Sequence, residues 1–127
     1  MERKKIRFGV IGLGLMGREF CSAISRWCHL LTDGSIPELK GICDTNPATW
    51  KWYTDNFPGI EVKTEDYKEL IASDKIDAVY CAVPHNLHEQ FYTDIINSGK
   101  HLLAEKPFGI DIKANSNILK AIERNPG

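Results

Sequence analysis

Near the amino terminus the chain reads Val10-Ile11-Gly12-Leu13-Gly14-Leu15-Met16-Gly17. No other stretch constrains the backbone as strongly. An apolar strand must end, the chain must turn sharply, and a helix must begin within eight residues. G-x-G-x-x-G in that setting is the fingerprint of a domain that holds a dinucleotide pyrophosphate. Gly12 permits the tight turn, Gly14 presents no Cβ to an approaching pyrophosphate, and Gly17 lets the helix lie close on the sheet. The free N–H groups and positive dipole end of that helix face the anion, so Leu15 and Met16 at its start join the candidate site. Glycine triplets also arise by chance in loops, and the flanking pattern is what separates the two readings. Lys5 to Ile11 reads as a strand, and Met16, Phe20, Ala23, Ile24 and Trp27 follow at helical spacing.

The rest of the chain alternates in the same way. A turn-rich connection, Thr32 to Pro37, leads to a strand over Glu38 to Cys43 that ends in Asp44. Asn46-Pro47 opens a helix that continues through Ala48 to Phe57 and stops at Pro58-Gly59. A short strand (60–63) and a helix (66–72) follow, then the continuous apolar run Ala78 to Val83, suited to a parallel strand covered on both faces. Asn86 to Asn97 reads as a helix with Leu87, Phe91, Ile95 and Ile96 on one face, a capping box from Asn86 and Glu89, and Ser98-Gly99 at its end. His101 to Ala104 is a fifth strand, and Ile112 to Arg124 a last helix with Ile118, Leu119 and Ile122 inward. Such alternation implies an α/β fold: a doubly wound parallel sheet, helices on both faces, right-handed crossovers. A sixth strand is expected after Asn125-Pro126-Gly127, so residues 1–127 read as one dinucleotide-binding domain lacking its last strand, with an open edge prone to self-association.

Charge and composition narrow the partners. With 43% apolar residues, 26% charged residues and a net charge of −1, there is no general electrostatic case for nucleic acid or an anionic membrane. The basic start Met1 to Lys5 is followed by no signal-peptide core, and no run approaches the length of a membrane span, so a cytoplasmic protein is expected. Cys21, Cys28, Cys43 and Cys81 are scattered without a C-x-x-C pair and read as small apolar residues. His85-x-x-His88 has no third ligand close in sequence, and no metal site is expected.

Asp44 supplies the second piece of a cofactor site. A carboxylate at the end of the second strand accepts both hydroxyls of an adenosine ribose and repels a 2′-phosphate, which favours NAD over NADP. It lies 27 residues beyond Gly17 where about 20 is usual, and the 32–37 connection reads as the insertion that absorbs the excess. NADP stays open as an alternative because Thr45 and Asn46 are small.

Two segments carry the reading from a fold to a family: Ala82-Val83-Pro84-His85-Asn86-Leu87-His88 after the fourth strand, and Gly99-Lys100-His101-Leu102-Leu103-Ala104-Glu105-Lys106-Pro107 through the fifth. With the glycine run and Asp44, they resemble the Gfo/Idh/MocA family of sugar and inositol dehydrogenases over the whole chain. Glu-Lys-Pro is the most specific of these marks. The resemblance implies that Lys106 stands beside the nicotinamide and the substrate hydroxyl, where a fixed cation stabilises a developing alkoxide. It implies that Glu105 lies near the nicotinamide ribose, and that Val83, Pro84, Asn86 and His88 belong to a loop lining the cofactor. Pro107 rigidifies the turn and admits a cis Lys106–Pro107 bond.

Blander readings stand beside these. By residue type Lys106 is a surface lysine, His88 a locally hydrogen-bonded histidine and His101 a strand-start residue. Trp50, Trp52 and Tyr53 suggest packing on a neighbouring chain or domain more than a binding patch. The family continues with a larger domain that supplies substrate contacts and an acid/base residue, so this stretch by itself is expected to bind cofactor and turn over little. The implied whole protein is an NAD(P)-dependent oxidoreductase acting on a sugar or cyclitol, a homo-oligomer at full length. The alternative is a non-catalytic dinucleotide sensor or transcriptional regulator on the same fold, and retention of Glu105-Lys106-Pro107 favours the enzyme.

Overall fold

The computed structural model describes residues 2–127. Five parallel strands form one sheet: β1 (Lys5–Ile11), β2 (Ile36–Cys43), β3 (Val62–Thr64), β4 (Ala78–Cys81) and β5 (His101–Ala104), in the spatial order β3-β2-β1-β4-β5. The helices are α1 (Leu15–Ile24), α2 (Trp50–Asn56), α3 (Tyr67–Ala72), α4 (His88–Asn97) and α5 (Ile112–Arg124). Chain order reverses between β1 and β4, and that is where ligands settle in doubly wound sheets, outside the carboxyl ends of the strands.

Period-two alternation divides the core between the two faces. Val10, Ile42 and Tyr80 point to one side, under Cys21 of α1 and Tyr53 of α2. Ile11, Cys43, Val79 and Cys81 point to the other, against Leu70 of α3, Tyr92 and Ile95 of α4 and Ile118 of α5. Leu39 and Ile42 are an odd number of residues apart yet share a face. The register explains it: Phe8 pairs with Leu39 and Gly9 with Gly41, so Lys40 is an extra residue that resets the alternation. Burial pushes the thiols of Cys21, Cys43 and Cys81 up to about 12, as small apolar residues, while Cys28 is exposed.

Several elements differ from the sequence expectation for identifiable reasons. Strand β2 begins at Ile36 rather than Glu38, with Pro37 inside it. Pro37 is tolerated because β3 pairs only with Gly41 to Cys43, leaving that end of β2 without a neighbour on its far side. The helix at Pro47 begins as a 3-10 turn (Pro47–Thr49), with the Asn46 side chain accepting from the Ala48 N–H at 3.1 Å. No capping box forms on α4. A 3-10 turn (His85–Leu87) precedes it, Leu87 takes the cap position without a side-chain bond, and Glu89 instead accepts from Asn117 Nδ2 on α5. On α5 the buried face is Ala114, Ile118 and Ala121, while Leu119 and Ile122 are exposed. Trp50, Trp52 and Tyr53 pack within their own chain: Tyr53 is fully buried, Trp50 lies against the same cluster, and Trp52 meets Tyr53 edge-on. Among the described residues no helix is long and apolar enough to cross a membrane.

Candidate functional site

The glycine run sits at the carboxyl end of β1. Gly12 adopts φ +90°, and a Cβ there would run into the Ala82 carbonyl. Gly17 is equally committed: a Cβ would stand 2.5 Å from the Gly12 carbonyl oxygen and 2.7 Å from Tyr53 Oη. Around Gly14, by contrast, an added Cβ meets nothing within 4 Å. Two glycines are therefore required by the fold, and the third faces open space, as a site kept clear for a ligand would. Helix α1 begins immediately after it. Its first turn carries no acidic residue and no side-chain cap, and the Arg18 N–H is the first to bond back, to the Gly14 carbonyl at 3.1 Å. The N–H groups of Leu15, Met16 and Gly17 precede that first bond and sit at the positive end of the helix. The Leu15 and Met16 side chains are largely exposed.

Asp44 closes the neighbouring corner. One carboxylate oxygen accepts from the Leu13 N–H and the other from the Asn46 N–H, both at 2.9 Å. Each oxygen retains a second lone pair, so the group can still accept from two hydroxyls. Gly12, Gly14 and Asp44 line a cleft of about 330 Å³ whose opposite wall is Val83, Pro84, Leu87 and Phe91. Thr45, Glu65 and Tyr67 complete it, and the Tyr67 and Phe91 rings stack with centroids 3.9 Å apart. A hydroxyl-accepting carboxylate corner facing an apolar, aromatic wall, beside the free N–H groups that open α1, fits a dinucleotide, which carries ribose hydroxyls, a flat base and a pyrophosphate.

Not every expected residue joins this cleft. Asn86 is exposed in the 3-10 turn and does not line it. The His88 side chain is fully buried behind the loop, which is the locally hydrogen-bonded arrangement its residue type offers. Its Nδ1 lies 2.6 Å from the Pro107 carbonyl oxygen and its Nε2 3.1 Å from that of Val83. Both ring nitrogens face backbone carbonyl oxygens, so neither opens toward a ligand, and a neutral ring donates to one of the two carbonyls at a time. Glu105 and Lys106 lie beyond the end of β5, two strands from the glycine turn, and the Lys106–Pro107 bond is cis. The Lys106 side chain is exposed and no acidic group pairs with it among the described residues. Glu105 is half-buried, and its Oε1 accepts from Tyr80 Oη at 2.6 Å. Burial and the adjacent Glu105 carboxylate raise the Tyr80 phenol well above its ordinary value, so it stays a donor. Tyr92 Oη donates to the Glu105 carbonyl at 2.7 Å. Sequence reading missed Tyr80 and Tyr92. The available signal was the four-residue spacing of His88 and Tyr92, which places them on one helix face.

The sequence model of the Gfo/Idh/MocA oxidoreductases, described as an oxidoreductase family with an NAD-binding Rossmann fold, matches residues 6–126. The chain belongs to this family. Among Gfo/Idh/MocA relatives, an uncharacterized oxidoreductase, YrbE, from Bacillus subtilis is 30% identical over 96% of the chain and 33% of its own length. An α-N-acetylgalactosaminidase from Shewanella oneidensis is 31% identical over 94% of the chain and 26% of its own length. Apo scyllo-inositol dehydrogenase from Lactobacillus casei superposes with a TM-score of 0.84 at 29% identity, over 98% of the chain and 35% of that structure. Levoglucosan dehydrogenase, in a complex with NADH and levoglucosan, gives 0.85 at 25% identity, over 96% and 33%. The chain thus spans about a third of the length of these Gfo/Idh/MocA proteins.

Proposed function

We propose that this chain is the cofactor-holding part of an NAD-dependent dehydrogenase acting on a sugar or cyclitol hydroxyl, with Lys106 as the catalytic residue. The observation that carries the proposal is Lys106 itself. It is an exposed amine without an acidic partner among the described residues, at the carboxyl edge of the sheet, on the side where Gly12, Gly14 and Asp44 open their cleft. Its side chain is free to reach a ligand while the backbone on either side of it is hydrogen-bonded. A nicotinamide dinucleotide, when bound, supplies the acceptor or donor of a hydride. The chain's own residues do the rest: the first-turn N–H groups of α1 hold the anion, Asp44 accepts from the ribose hydroxyls, and the ammonium of Lys106 holds the substrate oxygen as negative charge develops on it. The length of the relatives supports a further domain supplying the remaining substrate contacts and the proton acceptor. The substrate class follows the two solved relatives named for scyllo-inositol and levoglucosan.

The test uses the full-length protein. Titration with NADH should show binding, and a panel of inositols and anhydrosugars should reveal NAD reduction. Lys106→Ala should lower kcat by about a hundredfold or more, with NADH affinity held within about twofold. Absence of cofactor binding, or a Lys106→Ala protein with unchanged turnover, would overturn the proposal. The α-N-acetylgalactosaminidase relative favours one second reading, in which the same domain serves net glycoside cleavage. Release of sugar from an α-N-acetylgalactosaminide, with no net NADH formed, would select it.

A further inference from the structure

The two sides of the sheet converge on one short segment. Tyr80 on β4 pairs in register with Leu103 on β5, and residues two apart share a face, so the Glu105 side chain emerges on the Tyr80 side. There Tyr80 Oη holds it at 2.6 Å, and the Tyr80 ring is itself stacked on Phe20 of α1, centroids 4.3 Å apart. On the opposite face, α4 presents His88 and Tyr92, four residues apart, their rings stacked with centroids 4.5 Å apart. Tyr92 donates to the Glu105 carbonyl, and His88 Nδ1 meets the Pro107 carbonyl at 2.6 Å. One aromatic pair therefore grips the backbone immediately before and immediately after Lys106. Through its second nitrogen His88 also reaches the Val83 carbonyl, on the wall of the cleft.

We infer that His88 and Tyr92, assisted by Tyr80, are positioning residues that fix the backbone carrying Lys106 relative to the cofactor cleft. The inference rests on the reading of Lys106 as the group that holds the substrate oxygen. His88 and Tyr92 are both fully buried, beside an apolar cluster that includes Ile95. Burying a hydroxyl and an imidazole is costly unless their hydrogen bonds are made. Core filling alone would be met by leucine or phenylalanine. Here the Tyr92 hydroxyl and the nearer His88 nitrogen, 2.6 Å from the Pro107 carbonyl, are both aimed at backbone carbonyls flanking one exposed lysine. A lysine has four rotatable side-chain bonds, so a fixed backbone origin restricts where its ammonium can stand. Misplacement of a reacting group by about 1 Å can cost about a hundredfold in rate.

The full-length protein is again the material. Tyr92→Phe removes one oxygen and keeps the ring. It should lower kcat about tenfold with NADH affinity within about twofold, and lower the backbone order parameters of Lys106 and Phe108 from the rigid range of about 0.85 toward about 0.6, with those of Leu13 to Gly17 unchanged. His88→Phe should lower kcat further, and His88→Asn, whose amide can stand near the Nδ1 position, should recover part of that loss. A lowered unfolding midpoint with unchanged kcat and unchanged order parameters at Lys106 and Phe108 would reduce the pair to core packing and overturn the inference. Should His88→Phe fail to fold, Tyr92→Phe carries the test. Should the wild type oxidise no polyol, the order parameters decide alone. Lower order at Lys106 and Phe108 keeps the grip while the catalytic reading of Lys106 falls; unchanged order overturns the grip.

Discussion

The glycine turn after β1 and the lysine turn after β5 occupy the same edge of the sheet and are built by opposite means. At the first, side chains are missing and backbone atoms do the holding. Gly12 N–H donates to the Cys43 carbonyl at 2.9 Å, Ala82 N–H donates to the Ile11 carbonyl at 2.8 Å, and Gly12 and Gly17 leave no room for a Cβ. At the second, three aromatic side chains from β4 and α4 hold the chain. A turn made of backbone presents N–H groups that suit any anion of the right size. A turn held by side chains aims one particular group. Under the proposed function, the former would give a place to bind and the latter a direction from which to act.

That contrast can be broken most severely at Gly12. Alanine there would meet both the left-handed φ and the Ala82 carbonyl, and should destabilise the fold by about 3 kcal/mol or more in urea unfolding. Gly14→Ala, two residues on, should leave stability within about 0.5 kcal/mol yet weaken NADH binding at least about tenfold, because only a ligand fills the space it enters. Equal stability losses at the two positions would erase the distinction between folding and binding glycines. Asp44→Ala sharpens the comparison at intermediate cost. The Leu13 N–H loses its acceptor, for roughly 1–2 kcal/mol, and calorimetry should show NAD losing more affinity than NADP.

The smallest effect is expected far from both turns, where β1 and β4 are joined by Arg7 and Asp77. The Arg7 guanidinium, donating to Asp77 at 2.7 and 2.9 Å, holds that carboxyl down to about 2 from its ordinary 3.8. A depressed carboxyl stabilises the fold at pH values above the ordinary one and loses that contribution as pH falls through the lowered one. The modest stability gap between wild type and Asp77→Asn, read from unfolding midpoints, should therefore be steady near neutrality and close between pH 3.8 and about 2. NADH affinity should not change with it.

The same contrast explains what the chain's letters disclosed. β1 and the glycine turn are local: an apolar run and three glycines within eight positions carry their own geometry. Strand β5 and helix α5 begin and end where turn residues and periodicity place them. The inward face of α5 was misjudged because Ala114 and Ala121, though small, are what fits against α4, while the bulkier Leu119 and Ile122 face out. Lys106 was legible as a motif, but not the means of holding it. Tyr80 and Tyr92 lie 26 and 14 residues before it, and nothing in local spacing says that a tyrosine in an apolar strand will find Glu105. His88 was legible as a special residue with two readings, because a motif records that a histidine is needed and not which way its ring faces.

In the proposed role, Asp44 would tie the choice of cofactor to the shape of the turn that receives it. The carboxylate that would discriminate against a 2′-phosphate is also the acceptor that braces Leu13. Redesign toward NADP by a single neutral replacement would remove the brace together with the repulsion. A durable switch needs two changes made as one, a cation for the phosphate and a new acceptor for the Leu13 N–H.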